Sequence, residues 1–306
     1  METTVEKINR LRKERNAIIL AHYYQNPEIQ DIADFMGDSL ALAQQAKKAT
    51  SDVILFCGVH FMAETAKILN PTKTVLVPDM DAGCSLADSC PADEFKKWID
   101  ANPGHVVVSY INCTAETKAL SDVIVTSSNA EKIIRSIPQD RPILFAPDKY
   151  LGSWLMRKTG RQMKLWNGSC RVHDYFSEQA IISLTSERPN AEILAHPECP
   201  PNILDYADFV GSTNAIIKRA LESEHKEFII LTEPGIIHEL EKKAPGKKFY
   251  SAPNMGGCSC NECPYMRLNT LQKMADALES LKPELNMTED LRLRALKPLE
   301  RMLELS

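Results

Sequence analysis

The chain has 306 residues, of which 44% are apolar and 25% charged, and it carries a net charge of −5. This composition is typical of a globular protein and excludes a disordered chain. No block of Lys and Arg occurs, which argues against nucleic acid or an anionic membrane as the main partner, because both need a concentrated basic face. We therefore expect a small-molecule partner.

The first twenty residues, METTVEKINRLRKERNAIIL, are rich in charge and lack the apolar core of a signal peptide. No apolar run reaches the roughly 20 residues that a membrane-spanning helix needs. These features predict a cytoplasmic protein under reducing conditions. In that setting the nine cysteines are interpreted as metal ligands or buried small apolar residues rather than a disulfide framework.

Short β-branched runs alternate with amphipathic stretches along the chain. The runs are AIILAH (17–22), VILFCG (53–58), VLVPD (75–79), VVVSY (106–110) and FIILTE (228–233). Continuous apolar runs of this length, separated by helices, indicate parallel strands that are buried on both faces. The predicted class is α/β.

Three segments, which begin at Ile19, Val107 and Ile193, share one pattern and define repeats of about 85 to 88 residues. They read ILAHYYQNPEIQDIADFMGDS, VVSYINCTAETKALSDVIVTSS and ILAHPECPPNILDYADFVGST. In each, a strand ends in a small residue, and a ring, one spacer and a second polar residue follow. A short second strand then ends in hydroxyl-bearing residues. We predict three homologous αβα units with parallel four-stranded sheets: 1–88 together with 266–306, 89–174, and 175–265.

Every repeat ends in a fourth strand that leads into a cysteine. Cys84 and Cys170 take this position in two repeats, and one of the cysteines at 258, 260 and 263 takes it in the third. Ligands in open α/β sheets bind beyond the carboxyl ends of the strands, so a shared site requires these ends to converge around a pseudo-threefold axis. Three thiolates suit a [4Fe-4S] cluster with one iron free of protein ligands. Zinc would more usually take four protein ligands or a mixed Cys/His set.

The other cysteines have weaker patterns. The stretch CSCNECP matches neither a ferredoxin nor a zinc ribbon, and a redox or transient disulfide between Cys260 and Cys263 stays open. Cys57 lies within a predicted buried strand and is interpreted as packing. The remaining three are expected to line the pocket: Cys90, Cys113 and Cys199.

The segment from Met266 onward is predicted to be amphipathic helix, capped at Thr288 and kinked or restarted at Pro298. We expect this tail to pack against the first unit, which has the shortest share of chain. No flexible linker or low-complexity stretch interrupts the sequence. The units are therefore expected to be rigidly docked.

Nine motifs in register closely resemble the quinolinate synthase family over nearly the whole chain. They are AHYYQ with GDSL, PDMDAGCSLA, YINCTAE, TSSNA, GSCRVH, AHPEC, VGST and CPYMRLNTL. The resemblance implies three α/β units around a central [4Fe-4S] cluster. It also implies condensation of iminoaspartate with dihydroxyacetone phosphate to quinolinate, with loss of phosphate and two waters, in NAD biosynthesis.

The resemblance further implies that Cys84, Cys170 and Cys263 hold the cluster, since the family's third ligand directly precedes the segment written here as PYMRLNTL. Cys258 and Cys260 would then be flanking or redox residues. Their spacing, C-x-C-x-x-C, departs from the C-x-x-C-x-x-C form of some members. This departure puts any thiol–disulfide regulation of those members in doubt here.

Polar residues after the strands are the candidates for binding and catalysis. Hydroxyls at helix starts suit phosphate and carboxylate oxygens, and the absence of a Walker-type or G-x-G-x-x-G loop argues against a nucleotide substrate. Glu198 is the predicted general base, with a helix-capping role as its alternative. The substrate-binding candidates are His22, Asp38, Ser39, Tyr110, Asn112, Ser127, His196, Glu198, Ser212 and Thr213. Asp38 has a helix cap as its simpler explanation.

Two tyrosines and three histidines complete the catalytic candidates. Tyr24 and Tyr110 are expected to donate hydrogen bonds or relay protons, with half-buried packing as the alternative. The histidines can hold carboxylates or shuttle protons, although a lone histidine is usually a satisfied core residue. They are His22, His173 and His196.

Two other functions stay open. A hydro-lyase for another small polycarboxylate would use the same open iron with different pocket chemistry. A cluster carrier or redox sensor would hold a labile cluster and bind no substrate, but it would not need proton-transfer groups at the strand ends. Functional coupling to L-aspartate oxidase, which would supply the unstable imine, is a further possibility that the sequence does not decide.

Overall fold

The computed structural model describes residues 2–254 and 261–306. Within them the chain forms three four-stranded sheets, each from a consecutive stretch of sequence and each entirely parallel. The strand order is the same in all three, with the second strand at one edge, then the first, the third and the fourth. The predicted α/β class with three equivalent units is confirmed, and the shared topology fits the pseudo-threefold arrangement.

The first unit places its helices between and around its strands in the predicted alternation. Its strands are β1 (Ala17–His22), β2 (Phe35–Gly37), β3 (Val53–Cys57) and β4 (Thr74–Leu76). Its helices are α1 (Thr4–Glu14), α2 (Pro27–Gln30), α3 (Ser39–Lys48), α4 (His60–Leu69) and α5 (Ser85–Asp88). The fully buried pattern of β3 explains why its sequence is continuously apolar.

The second unit follows with the same alternation. Its strands are β5 (Val106–Tyr110), β6 (Val123–Val125), β7 (Ile143–Ala146) and β8 (Lys164–Leu165). Its helices are α6 (Ala92–Asp100), α7 (Ala115–Lys118), α8 (Ala130–Ser136), α9 (Lys149–Thr159) and α10 (Arg171–Asp174).

The third unit and the tail complete the described chain. The strands are β9 (Glu192–Ala195), β10 (Phe209–Val210), β11 (Glu227–Leu231) and β12 (Lys248–Ser251). The helices are α11 (Glu178–Glu187), α12 (Pro201–Leu204), α13 (Thr213–Glu222), α14 (Ile236–Lys243), α15 (Leu271–Ser280) and α16 (Glu289–Leu305). The boundaries predicted for the three units stay predictions.

One aspartate in each unit joins the first two strands at their amino ends. The carboxylates of Asp34, Asp122 and Asp208 accept the backbone N–H groups of residues 15 positions earlier, each at 2.8 Å. The backbone N–H of each aspartate donates to the carbonyl of the same partner at 2.9 Å. The partners are Ile19, Val107 and Ile193. We call these three two-way links the aspartate brackets. They indicate that the repeats are equivalent at the level of single hydrogen bonds.

The largest apolar cluster spans the first and second units, whereas the third unit has clusters of its own. Helix α4 lies in that shared core and is buried on nearly every side, including Phe61 and Ala63. Helix α16 contributes Leu299 and Met302 to the same cluster. No helix in the described part of the chain combines the length and apolar character needed to cross a membrane.

The tail differs from the expectation in two respects. Helix α15 packs on α1 of the first unit as expected, but α16 packs mainly on α7 and β6 of the second unit, with a smaller contact to α4. Its buried face, which includes Ala295 and Leu299, fits the apolar groove between the two units. The helix also runs unbroken through Pro298, so the predicted restart is wrong.

Candidate active site

The carboxyl ends of the sheets border one cavity of about 130 Å³. Because every sheet is parallel, residues that follow the strands of each unit reach the same edge and can meet there. The structure thus brings together most of the candidates that the sequence placed after strands. They are His22, Tyr24, Asp38, Ser39, Cys84, Tyr110, Asn112, Ser127, Cys170, His173, His196, Glu198, Thr213 and Cys263.

Three free cysteines from distant parts of the sequence share this cavity: Cys84, Cys170 and Cys263. Burial raises the pKa of Cys84 to about 12, and the charge of Cys263 adds to the rise. Burial also raises the pKa of Cys170 well above its ordinary range, with further contributions from the charges of Glu198, Cys84 and Cys263. A bound metal ion would stabilise them as thiolates, because the thiolate and not the thiol is the metal ligand.

The donor set fits an iron-sulfur cluster, whose protein ligands are cysteine thiolates. A second group can also hold a metal ion: Cys170, His173 and Glu198 have ligand atoms within 4.8 Å of one another. The polar side chains of that group are already engaged, since His173 Nε2 lies 2.9 Å from Thr232 Oγ1 and Glu198 contacts Tyr110. We therefore regard the three thiols as the better match to the chemistry of this cavity.

Glu198 is the buried carboxylate at the centre of the polar network. The Tyr110 hydroxyl donates to Glu198 Oε1 at 2.6 Å, and His173 Nδ1 lies 3.1 Å from Oε2. Burial alone would raise the pKa of Glu198, but the contacts with His173, His196 and Tyr110 outweigh it and lower the pKa to about 2. The carboxylate is therefore ionised at physiological pH.

A chain of hydroxyls connects Tyr24 to the same network. The Tyr24 hydroxyl lies 2.8 Å from Thr213 Oγ1 and 2.7 Å from Thr232 Oγ1, and Thr232 leads on to His173. The last link, from His173 Nδ1 to Glu198, has the distance but not the angle of a hydrogen bond. Such links in catalytic networks are often loose before a ligand binds.

His22 and His196 occupy equivalent positions in the first and third units. Their Nδ1 atoms accept the backbone N–H groups of Tyr24 at 3.2 Å and Glu198 at 3.4 Å. Burial is the main cause that lowers the pKa of each imidazole to about 3. Both rings are therefore neutral at physiological pH, with Nδ1 as an acceptor and the proton on Nε2.

The predicted substrate-binding hydroxyls divide into two sets. Ser39, Ser127 and Thr213 line the cavity, whereas Ser212 does not. Ser212 instead caps α13 through Ala215 N and lies 2.9 Å from Ser128 Oγ, which in turn donates to Asp38 at 2.7 Å. The local pattern predicted a hydroxyl at the helix start correctly but not the direction in which it points. Asp38 lines the cavity and also caps α3.

Asn112 has a side-chain oxygen that is available to a hydrogen-bond donor on a ligand. Its side-chain Oδ1 is buried and has no hydrogen-bond partner among the described residues, and the residue lines the cavity. An unpaired buried acceptor is costly, and a bound donor would remove that cost. This observation fits the predicted substrate-binding role, which stays a prediction.

Four residues of the site were not predicted from the sequence. Thr232 links Tyr24 to His173, and Arg171 adds a cation to the cavity wall. Glu233 lines the cavity and pairs with Arg267 at 2.7 Å. Thr232 and Glu233 directly follow β11, so the strand-end rule that found Tyr24 and Glu198 could have found them as well.

Among the described residues, the cysteines outside the three-thiol group are buried. Cys57 is packed within β3 as interpreted from the sequence. The expectation that three others line the pocket is wrong, because they are buried in apolar clusters and do not reach the cavity: Cys90, Cys113 and Cys199. Cys258 and Cys260 lie outside the described residues, and so does any pairing of Cys260 with Cys263.

Comparison with known proteins agrees with this geometry. Residues 6–304 match the family described as Quinolinate synthetase A protein. The chain is 60% identical to a quinolinate synthase of Trichodesmium erythraeum over 301 residues, which cover 98% of this chain and 93% of the relative. It is 59% identical to one of Nostoc punctiforme over 299 residues, with 98% and 92% covered.

A relative from a third organism gives the same result. The quinolinate synthase of Chloroherpeton thalassium is 58% identical over 302 residues, which cover 98% of this chain and 94% of the relative. Similarity of this extent covers all three units and the tail, and it is not limited to one shared motif. The chain therefore belongs to the quinolinate synthase family.

Proposed function

We propose that this chain catalyses the condensation of iminoaspartate with dihydroxyacetone phosphate to quinolinate, with release of phosphate and two waters. The reaction is a transferase-class step of NAD biosynthesis and is placed in the cytoplasm. Membership of the family supports the activity. The observation that carries the mechanism is that three cysteines from three units share one cavity with a buried carboxylate, the buried Tyr110 and the partly buried Tyr24.

We further propose that the resident cofactor is a [4Fe-4S] cluster held by Cys84, Cys170 and Cys263. When bound, such a cluster supplies an iron without a protein ligand, which acts as a Lewis acid toward a substrate oxygen. The three free thiols, which line one cavity, support this ligand set. The protein's own residues then have to hold two anionic substrates and move protons.

Proton transfer is assigned to the network around Glu198. Its carboxylate removes a proton from the carbon of the imine that becomes nucleophilic, and Tyr110 keeps the carboxylate in place. The chain from Tyr24 through Thr232 to His173 offers a path for protons across the cavity. General acid–base groups positioned in this way typically contribute about 10²- to 10⁴-fold to the rate.

Substrate binding is assigned to the neutral and positively polarised groups of the wall. Ser39 and Thr213 begin helices of ten residues, whose unpaired N–H groups favour phosphate and carboxylate oxygens. Asn112, His22 and His196 offer further polar atoms. Each neutral imidazole can donate its Nε2–H to a carboxylate oxygen.

Anaerobic purification followed by iron counting and visible spectroscopy tests the cofactor. We expect about four irons per chain in the unaltered protein and loss of the cluster in Cys84→Ser, Cys170→Ser and Cys263→Ser. The matched control is Cys57→Ala, which alters a buried cysteine outside the cavity. Retention of the full iron content in all three Ser variants would refute the ligand set.

A single metal ion on Cys170, His173 and Glu198 is the second candidate, because their ligand atoms already lie close together. It predicts about one metal per chain, insensitive to Cys84→Ser and Cys263→Ser. An anaerobic assay with the two substrates then separates the proposed synthase from a carrier or a different hydro-lyase, neither of which would form quinolinate. Coupling to L-aspartate oxidase is tested by supplying that enzyme and aspartate in place of the imine.

A further inference from the structure

We propose that Glu233 and Arg267 act as a positioning pair, which fixes the segment that carries Cys263 against the loop that carries Tyr24. The proposal deepens the function proposed above and rests on it for the roles of Cys263 and Tyr24. Its geometric basis is independent of that function. Neither residue is assigned a contact with substrate.

Glu233 follows β11 and is fully buried. Its Oε1 accepts Arg267 Nη2 at 2.7 Å and the backbone N–H of Cys263 at 3.2 Å, while Oε2 accepts the backbone N–H of Gly235 at 2.7 Å. Both oxygens are thus committed to N–H donors. A carboxylate held in this way is suited to fixing the backbone at Cys263.

Arg267 extends the link to the first unit. Its Nη1 donates to the carbonyl of Tyr24 at 2.8 Å, across 243 positions of sequence. Its own backbone N–H donates to the carbonyl of Cys263 at 3.3 Å, so the Arg267 backbone lies one turn after that cysteine. One planar side chain therefore joins the Cys263 segment, the end of β11 and the Tyr24 loop.

The end of β11 and the Tyr24 loop are packed closely against each other. A Cβ on Gly235 would lie 2.8 Å from Tyr24 Cα, which real side chains essentially never do. The side-chain nitrogen of the buried Gln30 lies 2.8 to 2.9 Å from the carbonyl oxygens of Tyr23, Gln25 and Gly235 and shares its two N–H donors among them. A shift of the Cys263 segment would therefore be passed directly to the Tyr24 loop.

An ordinary structural ion pair would not join the Cys263 segment to the Tyr24 loop. The sheet that carries Glu233 also contains such an ordinary pair, which serves for comparison. Glu192 is also buried, pairs with Arg219 at 2.5 Å and accepts from Ser223. It begins β9, at the sheet end opposite the cavity, and contacts no residue of the site. Variants of Glu192 and Arg219 therefore serve as matched controls for the loss of a buried carboxylate or its arginine.

The first test measures the rate at which iodoacetamide alkylates Cys263 in reduced, cluster-free protein, followed by peptide mass spectrometry. In Arg267→Met we expect this rate to rise about tenfold, because the segment opens more often, while the rate at Cys84 stays unchanged. Arg267→Lys should give an intermediate rate, since an ammonium group does not reproduce a planar fork between two acceptors. Arg219→Met should leave the Cys263 rate at its original value.

Circular dichroism checks that each variant is folded. If Arg267→Met does not fold, Glu233→Gln tests the same ion pair in its place. The carboxamide keeps one acceptor but loses the ion pair, so the Cys263 rate should again rise. An unchanged Cys263 rate in folded Arg267→Met and Glu233→Gln overturns the proposal. Equal increases at Cys263 in the Glu192→Gln control overturn it too.

The second test uses the cluster-loaded protein and separates kcat from KM. In Arg267→Met and Glu233→Gln, misplacement of Tyr24 should lower kcat by about tenfold with little change in KM. The control Glu192→Gln should change neither kcat nor KM. If the unaltered protein makes no quinolinate, the proposed function fails while the alkylation result stands. If it makes quinolinate but alkylation is unaffected, only the positioning pair fails.

Discussion

The two ends of the sheets differ in how strictly they repeat. At the amino ends, the same aspartate bracket occurs in all three units, with the same spacing and nearly the same distances. At the carboxyl ends, the equivalent positions hold a phenol, an amide and a carboxylate: Tyr24, Asn112 and Glu198. The comparison teaches that one end maintains the fold of each unit, while the other has diverged to serve a shared cavity.

The largest effect is expected from Glu198→Gln. The amide preserves shape but cannot accept a proton, so we expect kcat to fall by about 10³-fold while the iron content is unchanged. Quinolinate formation under anaerobic conditions is the measurement. Glu192→Gln, at the amino end of the same sheet, is the control and should keep its activity; undiminished turnover of Glu198→Gln would remove this residue from its role.

Tyr24→Phe is expected to have the next largest effect. It breaks the hydroxyl chain between Thr213 and Thr232, and we expect kcat to fall by about 10²-fold. Tyr23→Phe removes a hydroxyl from the neighbouring buried tyrosine, which does not line the cavity, and should remain active. Equal losses in the two variants would mean that the Tyr24 hydroxyl has a structural role alone.

The aspartate brackets should affect stability and not catalysis. Asp34→Asn, Asp122→Asn and Asp208→Asn each weaken a charged acceptor of a backbone N–H, so we expect the free energy of unfolding to fall by about 1.5 kcal/mol. Urea denaturation measures this loss, and kcat should be unchanged. Asp140→Asn, on an exposed loop, is the control. A large loss of kcat from any bracket variant would contradict the division between the two sheet ends.

The smallest effect concerns the pH dependence of stability. Burial lowers the pKa of His22 to about 3, below the value near 6.5 of an unfolded histidine. The unfolded chain therefore takes up a proton below pH 6.5 that the folded chain does not, and the free energy of unfolding falls as pH decreases toward 3. Between pH 7.5 and 5.5 this loss should be about 1.4 kcal/mol.

The variant His22→Gln should remove that share of the pH dependence in cluster-free protein. His105→Gln alters a more exposed ring and should leave the slope as it was. An identical slope in His22→Gln and the unaltered chain would contradict the assignment of a neutral, buried imidazole.

Much of the architecture could be predicted because it depends on local patterns. The apolar runs located the strands, and the common spacing after them placed Tyr24, Tyr110 and Glu198 at equivalent strand ends. The structure has these residues around one cavity, while their catalytic roles stay predictions. Sequence reasoning failed for Cys113 and Cys199, because adjacency to a strand end does not tell which way a side chain points.

By itself, the sequence determined the α/β class, the three repeats and the candidate residues at each strand end, since hydrophobic periodicity and chain-local spacing encode them. The tertiary structure decided the contacts between units: the turn of Ser212 toward Ser128, the packing of α16 on the second unit, and the link from Arg267 to Tyr24. These contacts join residues that are 84 to 243 positions apart. Such pairings depend on how the folded units dock, and no local pattern specifies that.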